Sequence, residues 1–85
     1  MIIDFSEHIG RIKNDTGILG NAFIFKVIND DTSENTTFEC ILFVHENLPA
    51  FISVNDEEDL GTYTKDSILE KIFEKYTLKQ LLEVI

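Results

Sequence analysis

AFIFKVINDDTSENTTFECILFVH, residues Ala22–His45, is the stretch whose reading decides the fold. Ala22–Asn29 is rich in Phe, Ile and Val and reads as a strand, Asp30–Asn35 (DDTSEN) is a polar turn, and Thr36–His45 reads as a second strand. A hairpin that closes on this turn pairs Asn29 with Thr36. That register sets Val27 opposite Phe38, Phe25 opposite Cys40 and Phe23 opposite Leu42 on one face, and Lys26 opposite Glu39 on the other. One register thus satisfies an apolar face and a cross-strand charge pair together, and a slip of one residue would spoil both.

The second face of the hairpin carries Ile24, Ile28, Ile41 and Phe43 beside Lys26, Thr37 and Glu39. A sheet face meant only for water would be more polar. A helix of the same domain is the first expectation for its cover, and a partner or a second copy is the other.

Working downstream, Glu46–Pro49 forms a turn, with Pro49 stopping a central strand. Phe51–Val54 (FISV) reads as a short third strand antiparallel to the second. Asp56–Asp59 and Gly61 follow as a turn, and Thr64 or Asp66 caps a helix over Lys65–Lys75 whose apolar stripe is Ile68, Leu69, Ile72, Phe73 and Tyr76. Thr77 with Gln80 makes a capping box that opens a terminal helix. Upstream, Asp4 with Glu7 resembles a capping box, and Phe5, Ile9 and Ile12 fall at helical spacing, so the spacing predicts a first helix over Asp4–Asn14. Gly10 lies inside it, and Thr16-Gly17 and Gly20-Asn21 mark loop. The expected fold is α+β, a single domain over residues 1–85, in the order α-β-β-β-α-α, with a three-stranded antiparallel sheet packed by helices.

Eighty-five residues suffice for one domain with a modest core. The single cysteine, Cys40, excludes an internal disulfide and suits a reducing compartment. The N-terminus lacks a signal-peptide pattern, and the longest strongly apolar run, Cys40–Val44, is too short to cross a bilayer. A cytoplasmic protein is the expectation.

The net charge of −9 is the most informative number. Between Lys26 and Lys65 there is no Lys or Arg, against nine acids, while the rest of the chain holds seven acids and seven bases. The whole imbalance therefore belongs to the middle of the chain. It disfavours direct binding to nucleic acid or to anionic membranes and favours a basic protein partner. Acids in turns also serve solubility alone. The carboxylates singled out for partner binding are Asp30, Asp31, Glu34, Glu46, Asp56, Glu57, Glu58 and Asp59.

Chemistry-bearing constellations are weak. Asp56 and Gly61 match the first and sixth positions of a calcium loop, but the fifth is Leu60 and the twelfth is Ser67, where a bidentate carboxylate is required. Cys40 and His45, five residues apart on one strand, point to opposite faces and cannot form a nucleophile–base pair. His8 has no evident partner on the predicted helix, and two His with one Cys do not make a structural zinc site. Gly17 and Gly20 precede a strand, whereas a phosphate cradle lies between strand and helix. We therefore expect no catalytic residue, no metal and no cofactor. A double-stranded RNA-binding module is set aside because Lys65, Lys71, Lys75 and Lys79 are balanced by Asp66, Glu70, Glu74 and Glu83.

The helix expected over Asp4–Asp15, the hairpin Ala22–His45, the acid run Asp56–Asp59 and the two helices after it together resemble small acidic phage anti-CRISPR proteins that inhibit type II effector nucleases. The likeness spans the chain in layout and rests on no diagnostic motif. It implies a DNA-mimicking surface that occupies a basic nucleic-acid-binding cleft. The alternatives are an immunity protein or antitoxin that neutralises a basic toxin, a homo-oligomerising module that uses the second sheet face, and, last, a small enzyme.

Overall fold

The β2–β3 hairpin holds the register that its sequence dictates. In the computed structural model, which describes residues 1–30, 36–45 and 47–83 (with the backbone alone of Leu82), β2 is Leu19–Asn29 and β3 is Thr36–His45. They pair antiparallel with Asn29↔Thr36, Val27↔Phe38, Lys26↔Glu39, Phe25↔Cys40 and Phe23↔Leu42. β2 begins three residues before Ala22, so Gly20 and Asn21 belong to the strand and not to a loop. Gly20 is required there by a close approach: a Cβ at this position would run into the Phe43 ring and stand 2.7 Å from the backbone oxygen of Val44.

The predicted first helix is a strand. β1 spans Ile2–Lys13 and pairs antiparallel with β2, so the sheet has four strands in the order β1-β2-β3-β4, not three. The order α-β-β-β-α-α is thereby overturned. The cause lies in two register shifts, between Phe5 and Glu7 and between His8 and Gly10. Each inserts one extra residue, Ser6 and then Ile9, into β1. The residues on β2's core side become Ile3, Phe5, His8 and Arg11, opposite Val27, Phe25, Phe23 and Asn21. The helical spacing of Phe5, Ile9 and Ile12 therefore marks no single face: Phe5 lies on the core side, Ile9 is a bulge residue, and Ile12, opposite Gly20, lies on the other face with Ile41 and Phe43. Gly10, next to the second bulge, has φ of 117°, a conformation that glycine adopts without steric cost.

β4 covers Leu48–Val54 and pairs with β3 through Cys40↔Val54, Leu42↔Ile52 and Phe43↔Phe51. It begins earlier than the predicted Phe51 and contains Pro49, which an edge strand tolerates because one side of its backbone has no ladder to complete. A short 3-10 turn, Glu57–Leu60, leads to α1 (Lys65–Lys75) and α2 (Leu78–Glu83). Thr64 caps α1 reciprocally with Ser67. Thr77 and Gln80 form the expected box at α2: Thr77 N donates to Gln80 Oε1 at 2.8 Å and Gln80 N to Thr77 Oγ1 at 3.1 Å.

Both helices lie on one face of the sheet. Ile68 and Ile72 of α1 and Leu81 of α2 join Ile3, Phe23, Phe25, Val27, Phe38, Cys40, Leu42, Val44 and Ile52 in one core. Lys75 fastens the end of α1 to the β1 edge, donating to Ile3 O at 3.1 Å with Asp4 Oδ1 at 3.6 Å. Among the described residues, no helix is long and apolar enough to cross a membrane.

Candidate functional site

Among the described residues no helix lies over the second face, contrary to the first expectation for its cover. Its residues instead shelter one another. Ile24, Ile28 and Ile41 are half-buried, while Phe43 is only 3% exposed, stacked on Phe51 with ring centroids 5.1 Å apart and resting on Gly20. Ile12, Lys13, Asn14 and Asp15, where β1 enters its turn, border a pocket of about 150 Å³ together with Ile41, Phe43, Phe51 and Ser53 on this face. That turn is held by Asn14, whose Oδ1 accepts from Thr16 N, Thr16 Oγ1 and Ile18 N at 2.8–3.0 Å.

Of the eight candidate carboxylates, Asp30 and the run Asp56–Asp59 lie towards one end of the sheet. β2 ends at Asn29 beside the start of β3, and β4, antiparallel to β3, leaves the sheet at Val54 towards the same end. The chain after β4 is pinned there by Tyr63, whose hydroxyl donates to Asn29 Oδ1 at 3.1 Å. Asn29 faces the core side and is 8% exposed, the one buried polar residue among those described. The Gly61 backbone approaches it too, since a Cβ there would stand 3.8 Å from Asn29 Nδ2. Asp30 and the run Asp56–Asp59, 26 to 29 residues apart in sequence, are brought to the same end of the sheet in this way.

Within that end the carboxylates differ in availability. Asp30 is bound by the amino group of Met1 at 2.5 Å. That hydrogen bond holds its carboxyl below the ordinary value, against a smaller opposing effect of burial. Glu57 is met by Lys65 at 3.1 Å, with both side chains exposed, a geometry worth little in water. Asp56 accepts from Glu58 N at 3.0 Å, capping the short turn. Among the described residues Asp56, Glu58 and Asp59 make no ion pair, and all three are exposed. Asp31, Glu34 and Glu46 lie outside the described residues. β3 and β4 are joined at the opposite end of the sheet, beside the His45↔Leu48 pair.

The remaining candidates separate as the strand pattern requires. Cys40 is 1% exposed on the core face, and burial pushes its thiol up to about 11. His45 is on the other face, its Nδ1 accepting from Asn47 N at 3.1 Å. His8 is not a surface helix residue: it is half-buried on β1, stacked on Phe23 with centroids 4.8 Å apart, and its Nε2 lies 3.4 Å from Asn21 Oδ1. Among the described residues, no three His, Cys, Asp or Glu side chains gather as a metal site.

Sequence reasoning missed Tyr63 and Asn29, the pair that assembles the acidic end. The available signal was the polar Asn29 at a position whose parity with Phe25 and Val27 places it on the core face. No protein-family model matches this chain, and no match to it was found among curated proteins or solved structures.

Proposed function

We propose that this chain is a non-catalytic binding module whose acidic end docks on a cationic protein surface, in the manner of an inhibitor that occupies a nucleic-acid-binding cleft. One observation carries the reading: a part-buried tyrosine–asparagine hydrogen bond ties the end of β2 to the chain that follows the Asp56–Asp59 turn, with Asp56, Glu58 and Asp59 free of ion pairs among the described residues. Carboxylates so arranged stand in for phosphates, and association is steered by charge and driven in part by counterions released from the partner.

The experiment is displacement of a labelled DNA duplex from a guide-loaded type II effector nuclease, taken as a partner with a cationic nucleic-acid-binding cleft; the likeness of layout no longer argues for this partner, since Ile2–Lys13 is a strand. Displacement by the wild-type chain should weaken steeply as salt rises from about 0.1 M to about 1 M, where the screening length falls from about 10 Å to about 3 Å. Asp56→Lys with Glu57→Lys should weaken it by about tenfold or more while leaving the far-UV circular dichroism unchanged. No displacement, or displacement indifferent to both salt and the double substitution, refutes the reading.

A further inference from the structure

The acidic end is too small and too polar to make a whole interface. A stable contact buries about 800 Å² on each partner around a desolvated apolar centre. The run Asp56–Asp59 is exposed throughout and offers no apolar side chain. A partner held there must spread onto an adjoining face. On one side lie α1 and α2, whose Ile68, Ile72 and Leu81 are buried in the core. On the other lies the face over which no described helix packs. There Ile24, Ile28 and Ile41 are half-buried, and Phe51 is 41% exposed beside the pocket that it shares with Ile12 and Ile41. The charges around this face lean to one sign. Glu7 stands opposite Ile24, Asp15 borders the pocket, and Lys26 lies in register between Asp4 and Glu39. Among the described residues Glu7, Asp15 and Glu39 make no ion pair.

We propose that the partner lays a basic amphipathic helix along this face, its apolar stripe on Ile12, Ile24, Ile41 and Phe51 and its lysines or arginines turned to Glu7, Glu39 and the acidic end; the proposal rests on the reading of that end as a docking site. Charge selects the occupant. A second copy of this chain would set −9 against −9, whereas a cationic segment meets carboxylates both at the end and along the face. The layer and the length also fit. An apolar sheet face is ordinarily buried under another element, as α1 buries the opposite one. From the Asn29↔Thr36 pair at the acidic end to the Ala22↔Phe43 pair, which adjoins Phe51, is seven residues, about 23 Å at a strand's rise. A helix of about 15 residues spans that distance. One end of it reaches the Phe51 ring while the other stands at the acidic end.

The probe is a synthetic helical peptide of about 18 residues with a leucine stripe and lysines on its other face. Titrated into the isotope-labelled full chain, it should shift the amide resonances of Ile24, Ile28, Ile41 and Phe51 and leave those of Ile68 and Ile72 in place. At about 1 M salt, where the screening length is about 3 Å, the binding that remains is the apolar part, and Phe51→Ser should weaken it by about tenfold or more. The map on the wild-type chain needs no variant, so it stands even where Phe51→Ser impairs folding. Shifts confined to Asp56–Asp59 and abolished by salt would keep the acidic end as a docking site and overturn the helix on the face. Shifts on the face, with an affinity at low salt that ignores Asp56→Lys with Glu57→Lys, would refute the acidic end and leave the apolar face as the helix's seat. No shift at either place overturns the proposal.

Discussion

Tyr63→Phe removes the hydrogen bond to Asn29 that ties the acidic end to β2. The substitution removes one hydroxyl and keeps the half-buried ring, so packing against the core is preserved. What is lost is a 3.1 Å hydrogen bond between residues 34 apart in sequence, made to the one buried polar residue among those described. A neutral hydrogen bond contributes about 0.5–1.5 kcal/mol net. In a domain of this size each kcal/mol moves the melting temperature by about 4–8 °C, which gives an expected loss of about 2–12 °C. The loss should be unevenly distributed, because segments of a native protein open with different free energies. The amides of Gly61 and Tyr63, which donate to Glu58 O at 3.2 Å and Leu60 O at 2.9 Å, should exchange faster, while those of Phe25 and Val27 at the centre of the sheet should follow global stability alone. Docking should weaken with no charge altered, since the turn must then be ordered on binding. Unchanged melting together with unchanged exchange at Gly61 and Tyr63 would show that the acidic end is held by something other than this bond.

Two further outcomes follow from the core. Phe25 is fully buried and edge-on to Phe5, with centroids 5.6 Å apart, so Phe25→Ala should cost about 3–5 kcal/mol by urea denaturation. The Cys40 thiol, raised by burial, stays protonated in the fold at pH values where the unfolded chain's thiol ionises. Its contribution is full below the unfolded value of 9.0 and is lost as pH rises towards about 11, so stability measured across that window should fall, and Cys40→Ala should flatten that fall.

The hairpin was legible because two independent patterns, an apolar face and the Lys26–Glu39 pair, demanded the same register, and the structure holds it. The cap at Thr64 and the box at Thr77 were legible because their chemistry is local. β1 was not. Its bulges at Ser6 and Ile9 shift the parity twice, and a bulge is recognised only against the partner strand that it faces. The second face was expected to lie under a helix of the same domain, whereas the described helices both pack on the other face. The acidic bias of the middle of the chain was plain, but its gathering at one end was not, because that depends on a long-range bond from Tyr63 to Asn29.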